Sequence, residues 1–117
     1  MLVLSSSRRY FIYGQPADMR KGFDSLSGIV QNELQLSPHG GDIFIFFNKR
    51  HNQVKLLLFE GDGFSIYYKR LEKGTYEIPL AGKTASSVQI KSDELSLILQ
   101  GISLESVRRR VRYKNTL

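Results

Sequence analysis

The sequence predicts a single α+β domain, with a mainly antiparallel sheet formed by a meander near residues 42–78, one long helix near 19–34, and shorter C-terminal helices. Three observations predict this class. The 117 residues are a usual length for one domain. Apolar residues recur at helical spacing in the first third of the chain. Three successive runs in the middle are rich in aromatic and β-branched residues, which is typical of strands.

The first two elements follow from the N-terminal third. Residues 8–13 include aromatic and β-branched side chains and stop at a Gly-Gln-Pro turn, which indicates a strand. Asp18 is placed to cap a helix that begins at Met19, and a Pro and two glycines in residues 37–41 must end it. The helix presents five apolar residues on one face: Met19, Phe23, Leu26, Val30 and Leu34.

The meander is predicted from runs at 42–47, 53–59 and 64–70. Between the second and third runs, Asp62 and Gly63 suit a tight hairpin whose two central residues have positive φ. The first two runs are apolar on both faces, so they need cover on both sides. The helix at 19–34 can cover one face. Curvature of the sheet, a C-terminal helix or a partner chain are the alternatives for the other.

The C-terminal part adds shorter elements. Residues 75–78 and 87–90 are candidates for further strands. Ser92, followed by two acids, is placed to cap a short helix that ends at Gly101. Residues 103–114 fit helical spacing and strand alternation, and we favour a helix. The chain is therefore expected to be one domain, 1–117, with a basic C-terminal strip at about 106–117.

Charge is concentrated at the C-terminus. The formal net charge is +6, and residues 105–117 contain five of the 17 basic residues but one of the 11 acids. Such a strip indicates an anionic partner, for which nucleic acid is the common case, although a basic end can also be a solvated surface. We also expect a cytoplasmic protein, because the chain has no apolar stretch long enough for a membrane and its first residues do not resemble a secretory signal.

Metal, cofactor and thiol chemistry are not expected. The chain contains no cysteine and two histidines, His39 and His51, which are too few for a histidine-built metal site. No nucleophile elbow or phosphate-binding loop is present, since the Gly-Asp-Gly at 61–63 is short and lies in a hairpin. We therefore predict no catalytic residues, no metal and no cofactor.

Several segments closely resemble one known family. They are PADMRKGFDSLSGIV (16–30), DIFIFFNKR (42–50), VKLLLFEGDGFSIYYKRLEKGTY (54–76) and ELSLILQGI (94–102). In order and spacing they are similar to the TnpB-type accessory proteins of insertion sequence family sixty-six, which are distinct from the RNA-guided nucleases of the same name. The resemblance covers roughly residues 8–105. It implies a protein that is encoded beside a separate, larger transposase and is needed together with it for transposition.

The carboxylates weigh against a nuclease, which needs two or three of them converging on divalent metal. Asp18 is explained as a helix cap and Asp62 as a turn residue, and Asp42 opens a strand. Asp24 lies four residues after Arg20, with which it can pair. A metal-dependent nuclease using Asp24, Asp42 and Glu60 is therefore the least favoured function.

Binding is the favoured function, with DNA at the element ends, the transposase, or both as partners. The alternative is a protein-only adaptor or oligomerisation module, because strands that are apolar on both faces can require a partner or a second copy. We expect Lys55 and Lys69 to share one surface with a tyrosine between them, suited to phosphates and bases, or else to lie on a solvated face. The nucleic-acid-binding candidates are Arg108, Arg109, Arg110, Arg112, Lys114, Arg20, Lys21, Lys49, Arg50, Lys55, Lys69 and Arg70.

Overall fold

The structure, a computed structural model, describes residues 3–79 and 86–101. Its elements confirm the α+β class. Helix α1 continues into a π-helical turn, and the second helix follows the last strand. In chain order the elements are β1 (Tyr10–Tyr13), α1 (Phe23–Ile29), the π-helical turn (Val30–Leu34), β2 (Ile43–Phe47), β3 (Gln53–Phe59), β4 (Phe64–Arg70), β5 (Ser87–Ile90) and α2 (Ser92–Leu99).

The five strands form one mixed sheet in the order β4-β3-β2-β1-β5. The predicted meander is confirmed for β2, β3 and β4, which pair antiparallel in succession. Strand β1 instead lies parallel to β2, with Tyr10 opposite Ile43, and antiparallel to β5. Parallel neighbours cannot be joined by a tight turn, so the chain crosses over between them through α1. Sheet order of this kind is decided by long-range pairing, which the local pattern does not reveal.

Each face of the sheet carries its own apolar core, and a helix covers each. On the α1 face, Leu26, Val30 and Leu34 pack against strand residues such as Phe44 and Phe46. On the α2 face, Leu95 and Ile98 pack against the alternate residues of the same strands. Of the alternatives for the second face, the C-terminal helix is therefore the one observed. No helix in the described part of the chain has the length and apolar character to cross a membrane.

The helix predicted at 19–34 begins four residues later in the structure. Helix α1 begins at Phe23, and Gly22 before it is extended. Asp18 does not cap the helix, because its carboxylate accepts hydrogen bonds from the backbone N–H and guanidinium of Arg20 in a turn that precedes it. The final part is a π-helical turn that ends at Gln35 in the left-handed conformation, with φ of 55°. In the turn's middle, Glu33 accepts a hydrogen bond of 2.7 Å from the Tyr13 hydroxyl.

Two smaller predictions were wrong. Residues 75–78 form no strand. The Tyr76 backbone N–H donates to the His51 carbonyl, and its ring packs against Phe47. In the hairpin at 60–63 the positive φ of 93° belongs to Gly61, and Asp62 and Gly63 do not share it.

At the C-terminal end, β5 and α2 match the predicted segments. The residue that caps α2 is Lys91 rather than Ser92. Its backbone N–H donates to the Glu94 carboxylate at 3.0 Å, which satisfies an amide that the helix itself leaves free. The interpretation of residues 103–114 lies outside the described residues.

The α1 face provides a test of these packing assignments. Leu26→Ala removes a side chain with no solvent exposure and is expected to lower the free energy of unfolding by about 2–5 kcal/mol. Phe23→Ala is the control on the same helix, where the side chain is 49% exposed and a clearly smaller loss is expected. Urea denaturation measures both free energies of unfolding. The dependence of the free energy on urea concentration should be the same in both variants and the wild type. Equal losses would show that α1 does not pack on the sheet through Leu26.

Candidate nucleic-acid interface

An open cleft lies between the turn that precedes α1 and the hairpin that joins β2 to β3. Its volume is about 560 Å³. We call it the basic cleft, because three cationic side chains and one carboxylate line it together with an exposed tyrosine. The lining residues are Ala17, Asp18, Met19, Arg20, Asn48, Lys49, Arg50, Asn52, Gln53 and Tyr68.

The hairpin wall of the cleft is held in shape by Asn48. The Oδ1 atom of Asn48 accepts hydrogen bonds of 3.0 Å from the backbone N–H groups of Asn52 and Gln53. Its Nδ2 donates to Oδ1 of Asn52 at 2.6 Å. Asparagine suits this position because its short amide can bond the backbone a few residues on. The tip residues Lys49 and Arg50 are therefore exposed on an ordered loop, and neither makes a salt bridge to any described residue.

The opposite wall is a short turn tied to the end of β2. The Ala17 backbone N–H donates to the Phe47 carbonyl at 2.8 Å, and the Lys21 N–H donates to the Asp18 carbonyl at 3.1 Å. The Asp18 carboxylate receives the Arg20 guanidinium at 2.6 Å. These hydrogen bonds from Arg20 stabilise the charged carboxylate and lower the pKa of Asp18 to about 2. Arg20 therefore enters the cleft as one half of an exposed ion pair.

Tyr68 on β4 is positioned by two neighbouring strand residues. Lys55 is its cross-strand partner on β3, and the Lys55 ammonium lies 4.8 Å from the centre of the Tyr68 ring. The Tyr68 hydroxyl donates to Oε1 of Gln53. Tyr68 nevertheless remains 52% exposed. An oriented, exposed aromatic ring beside cations has the chemistry that stacks on a nucleic-acid base.

Lys55 itself is buried at 8% exposure. Its Nζ donates to the Lys21 backbone carbonyl at 2.8 Å, and so joins β3 to the turn before α1. A buried ammonium is costly unless it has such partners, and here a carbonyl and the Tyr68 ring supply them. Lys55 therefore supports the turn before α1 and the Tyr68 ring, and little of it reaches solvent.

The surface predicted to contain both Lys55 and Lys69 does not form. Lys69 pairs with Val54, one position along the strand, so its side chain lies on the α2 face while Lys55 lies on the α1 face. Its Nζ donates to the Leu99 carbonyl at the end of α2, at 3.4 Å. This is the position expected for a cation near a helix C-terminus. The tyrosine beside Lys55 is Tyr68, since Tyr67 shares the face of Lys69.

The other residues that the sequence predicted to bind nucleic acid lie at different positions. Arg20, Lys49 and Arg50 line the basic cleft, and Lys21 is exposed beside it. Arg70, at the end of β4, is exposed and pairs with Gln53 of the cleft. The sequence did not single out Asn48, Asn52 or Gln53. The spacing of Asn48 and Asn52 around a basic loop tip is the signal that could have found them. Arg108, Arg109, Arg110, Arg112 and Lys114 lie outside the described residues.

The carboxylates named for a nuclease have other positions. Asp42 is bound by two hydrogen bonds from the Arg9 guanidinium, of 3.1 and 2.7 Å. Asp24 is exposed in the first turn of α1, and Arg20 pairs with Asp18 rather than with Asp24. Among residues 3–79 and 86–101, no three His, Asp or Glu side chains are grouped so that they could hold a metal ion.

Comparison with known proteins gives one family and two relatives. The family described as IS66 Orf2 like protein matches residues 8–109. The uncharacterized protein y4jC of Sinorhizobium fredii is 30% identical over 110 residues, which cover 94% of this chain and 92% of the relative. The uncharacterized protein y4hO of the same organism is 33% identical over 102 residues, or 87% of each chain. No solved structure matches the chain.

The Asp18–Arg20 pair yields a pH prediction. The pKa of Asp18 lies near 2, below its ordinary 3.8, so the ion pair persists above pH 3.8 and is lost as the pH falls through about 2. Arg20→Gln removes the cation and should raise the pKa of Asp18 towards 3.8. Carboxyl ¹³C chemical shifts during an acid titration measure both values. Arg9→Gln is the control, because Arg9 contacts Asp42 and should leave Asp18 unchanged. Titration of Asp18 near 3.8 in the wild type would contradict the pairing.

Proposed function

The chain belongs to the IS66 Orf2-like family of transposition-associated accessory proteins, and we propose that it serves transposition by binding DNA through the basic cleft. DNA presents a regular array of phosphates, and proteins hold it mainly through Lys and Arg side chains and backbone N–H groups. The basic cleft offers such cations on one surface. The proposed role is binding without catalysis, in line with an accessory function.

The observation that carries this proposal is the combination of exposed cations with an oriented aromatic ring. The cleft lining has three cations and one carboxylate, and Asp18 pairs with Arg20, which leaves Lys49 and Arg50 available for an external anion. The Asn48 bonds hold the backbone of the loop that carries them, so little backbone conformational entropy is lost when a phosphate is bound. Tyr68 adds a surface on which an unpaired base can stack.

The C-terminal basic residues extend the proposal. Arg108, Arg109, Arg110, Arg112 and Lys114 follow one another without an intervening acid. Their contribution should be independent of DNA sequence, since guanidinium and ammonium groups that neutralise phosphates carry no base information. In this proposal the cleft fixes the position of the DNA and the C-terminal residues add affinity.

Loss of the two hairpin cations should weaken binding and make it less sensitive to salt. For Lys49→Ala/Arg50→Ala, the negative slope of log binding constant against log salt concentration should become shallower by about two, because each phosphate contact contributes about 0.9 to its magnitude. Fluorescence anisotropy with a duplex containing the element's terminal repeats, over a series of salt concentrations, measures the slope. A chain ending before Arg108 should bind this duplex more weakly than the double variant does. Its loss of affinity should be the same for an unrelated duplex.

The control removes the same charge from outside the cleft. Lys73→Ala/Lys91→Ala also deletes two exposed lysines, and its slope should stay closer to that of the wild type. If both double variants lose equal slope, net charge rather than the cleft determines binding. If the wild type binds no DNA at low salt, the proposal fails. Co-purification with the transposase in that case would support the protein-only adaptor.

A further inference from the structure

Strand β4 forms an edge of the sheet. It pairs with β3 on one side, and no strand in the described part of the chain lies on its other side. With seven residues it is longer than β5, the four-residue strand at the opposite edge. Natural edge strands are usually protected by short length, charge or proline. In β4 the charges are confined to the last two positions, Lys69 and Arg70, and the first five residues are uncharged.

The hydrogen bonds at both ends of the β3–β4 hairpin establish which backbone groups face outwards. The Glu60 N–H donates to the Gly63 carbonyl, and the Leu71 N–H donates to the Asn52 carbonyl. Antiparallel pairs alternate between bonded and non-bonded positions. By this alternation Ser65, Tyr67 and Lys69 bond to β3. The N–H and C=O groups of the alternate residues point to the outer edge of the sheet: Phe64, Ile66, Tyr68 and Arg70.

Charge is distributed asymmetrically along this edge. The turn before β4 contains two exposed acids, Glu60 and Asp62. The other end contains Lys69, Arg70 and Lys73, with Glu72 as the one acid among them. When a second copy of the strand runs antiparallel beside the first, the net negative end of each copy therefore lies next to the net positive end of the other.

We propose that β4 pairs antiparallel with β4 of a second copy of this chain, about a two-fold axis at Tyr67. In this register the outward backbone groups of Ile66 meet those of Tyr68 in the second copy, and Phe64 likewise meets Arg70. Ser65 lies opposite Lys69, and Tyr67 opposite its own counterpart. No two like charges face each other within the strand, and all seven residues of β4 are paired.

The dimer has a geometric consequence for the basic cleft. A two-fold axis perpendicular to the sheet keeps the α1 faces of both copies on the same side. Tyr68, which lines the cleft, is one residue from the axis. Two basic clefts then lie on one side of a continuous sheet. The pairing rests on the edge and its charges and does not depend on what the clefts bind.

Charge placed at Ser65 tests the pairing register. Ser65→Lys sets an introduced lysine against Lys69 of the second copy twice per dimer, once on each side of the axis. The dissociation constant should rise by about tenfold, because two like-charged cross-strand pairs are introduced per dimer and each weakens the association about threefold. Ser65→Lys/Lys69→Ser removes both clashes, because the introduced lysine then faces a serine, and should recover most of the wild-type affinity. Sedimentation equilibrium of the full chain over a range of concentrations gives the constants.

Controls separate this effect from loss of fold or change in net charge. Ser25→Lys makes the same substitution at an exposed position of α1 and should leave the dissociation constant unchanged. Circular dichroism of each variant reports whether the fold is retained. A wild type that stays monomeric over the whole range overturns the proposal. So does a dimer that Ser65→Lys does not weaken. DNA binding by a monomeric wild type would leave the cleft proposal standing while this one fails.

Discussion

Strands β1 and β2 are buried on both faces, and this constraint determines the arrangement of the rest of the molecule. Every residue of both strands is buried, so neither face can be left to water. Burial of apolar area is the main favourable contribution to folding, and a sheet that is apolar on both sides obtains it only when both sides are covered. Helix α1 covers one side and α2 the other.

The parallel pairing of β1 with β2 places the candidate site. A crossover must return the chain to the end of the sheet from which β1 started, and so α1 lies between the two strands in sequence. The segment leaving β1 passes the end of β2, where the Ala17 N–H bonds to the Phe47 carbonyl. The turn at 17–20 and the hairpin at 48–53 are thereby brought together. The basic cleft is a consequence of this topology.

Lys55 connects the core to the cleft. It lies in a strand that is otherwise mostly buried and apolar. Its ammonium donates a hydrogen bond to the Lys21 carbonyl and contacts the Tyr68 ring. Removing it would leave a carbonyl without its partner and an aromatic ring without its support. A lysine predicted to contact nucleic acid is thus placed to orient other groups. Among the described residues that line the basic cleft, Lys49 and Arg50 at the hairpin tip are the cations left to contact an external anion, because Arg20 pairs with Asp18.

The sequence by itself determined the α+β class, the bounds of β3, β4 and β5, and the family. These depend on local patterns, namely alternation, turn residues and distinctive segments. Each such pattern can be recognised within a short stretch of the sequence. It also identified Arg20, Lys49 and Arg50 as candidates from their charge. The start of α1 was missed because a local Asp18–Arg20 bond competes with helix formation at Met19.

Only the tertiary structure decided which strands are neighbours and which side chains share a face. The parallel β1–β2 pair joins residues about 33 positions apart, a contact that no local pattern records. The separation of Lys55 from Lys69 follows from strand register, where a shift of one residue moves a side chain to the opposite face. The sequence shows which basic residues are present, and the long-range pairing of strands decides which of them lie on the same surface.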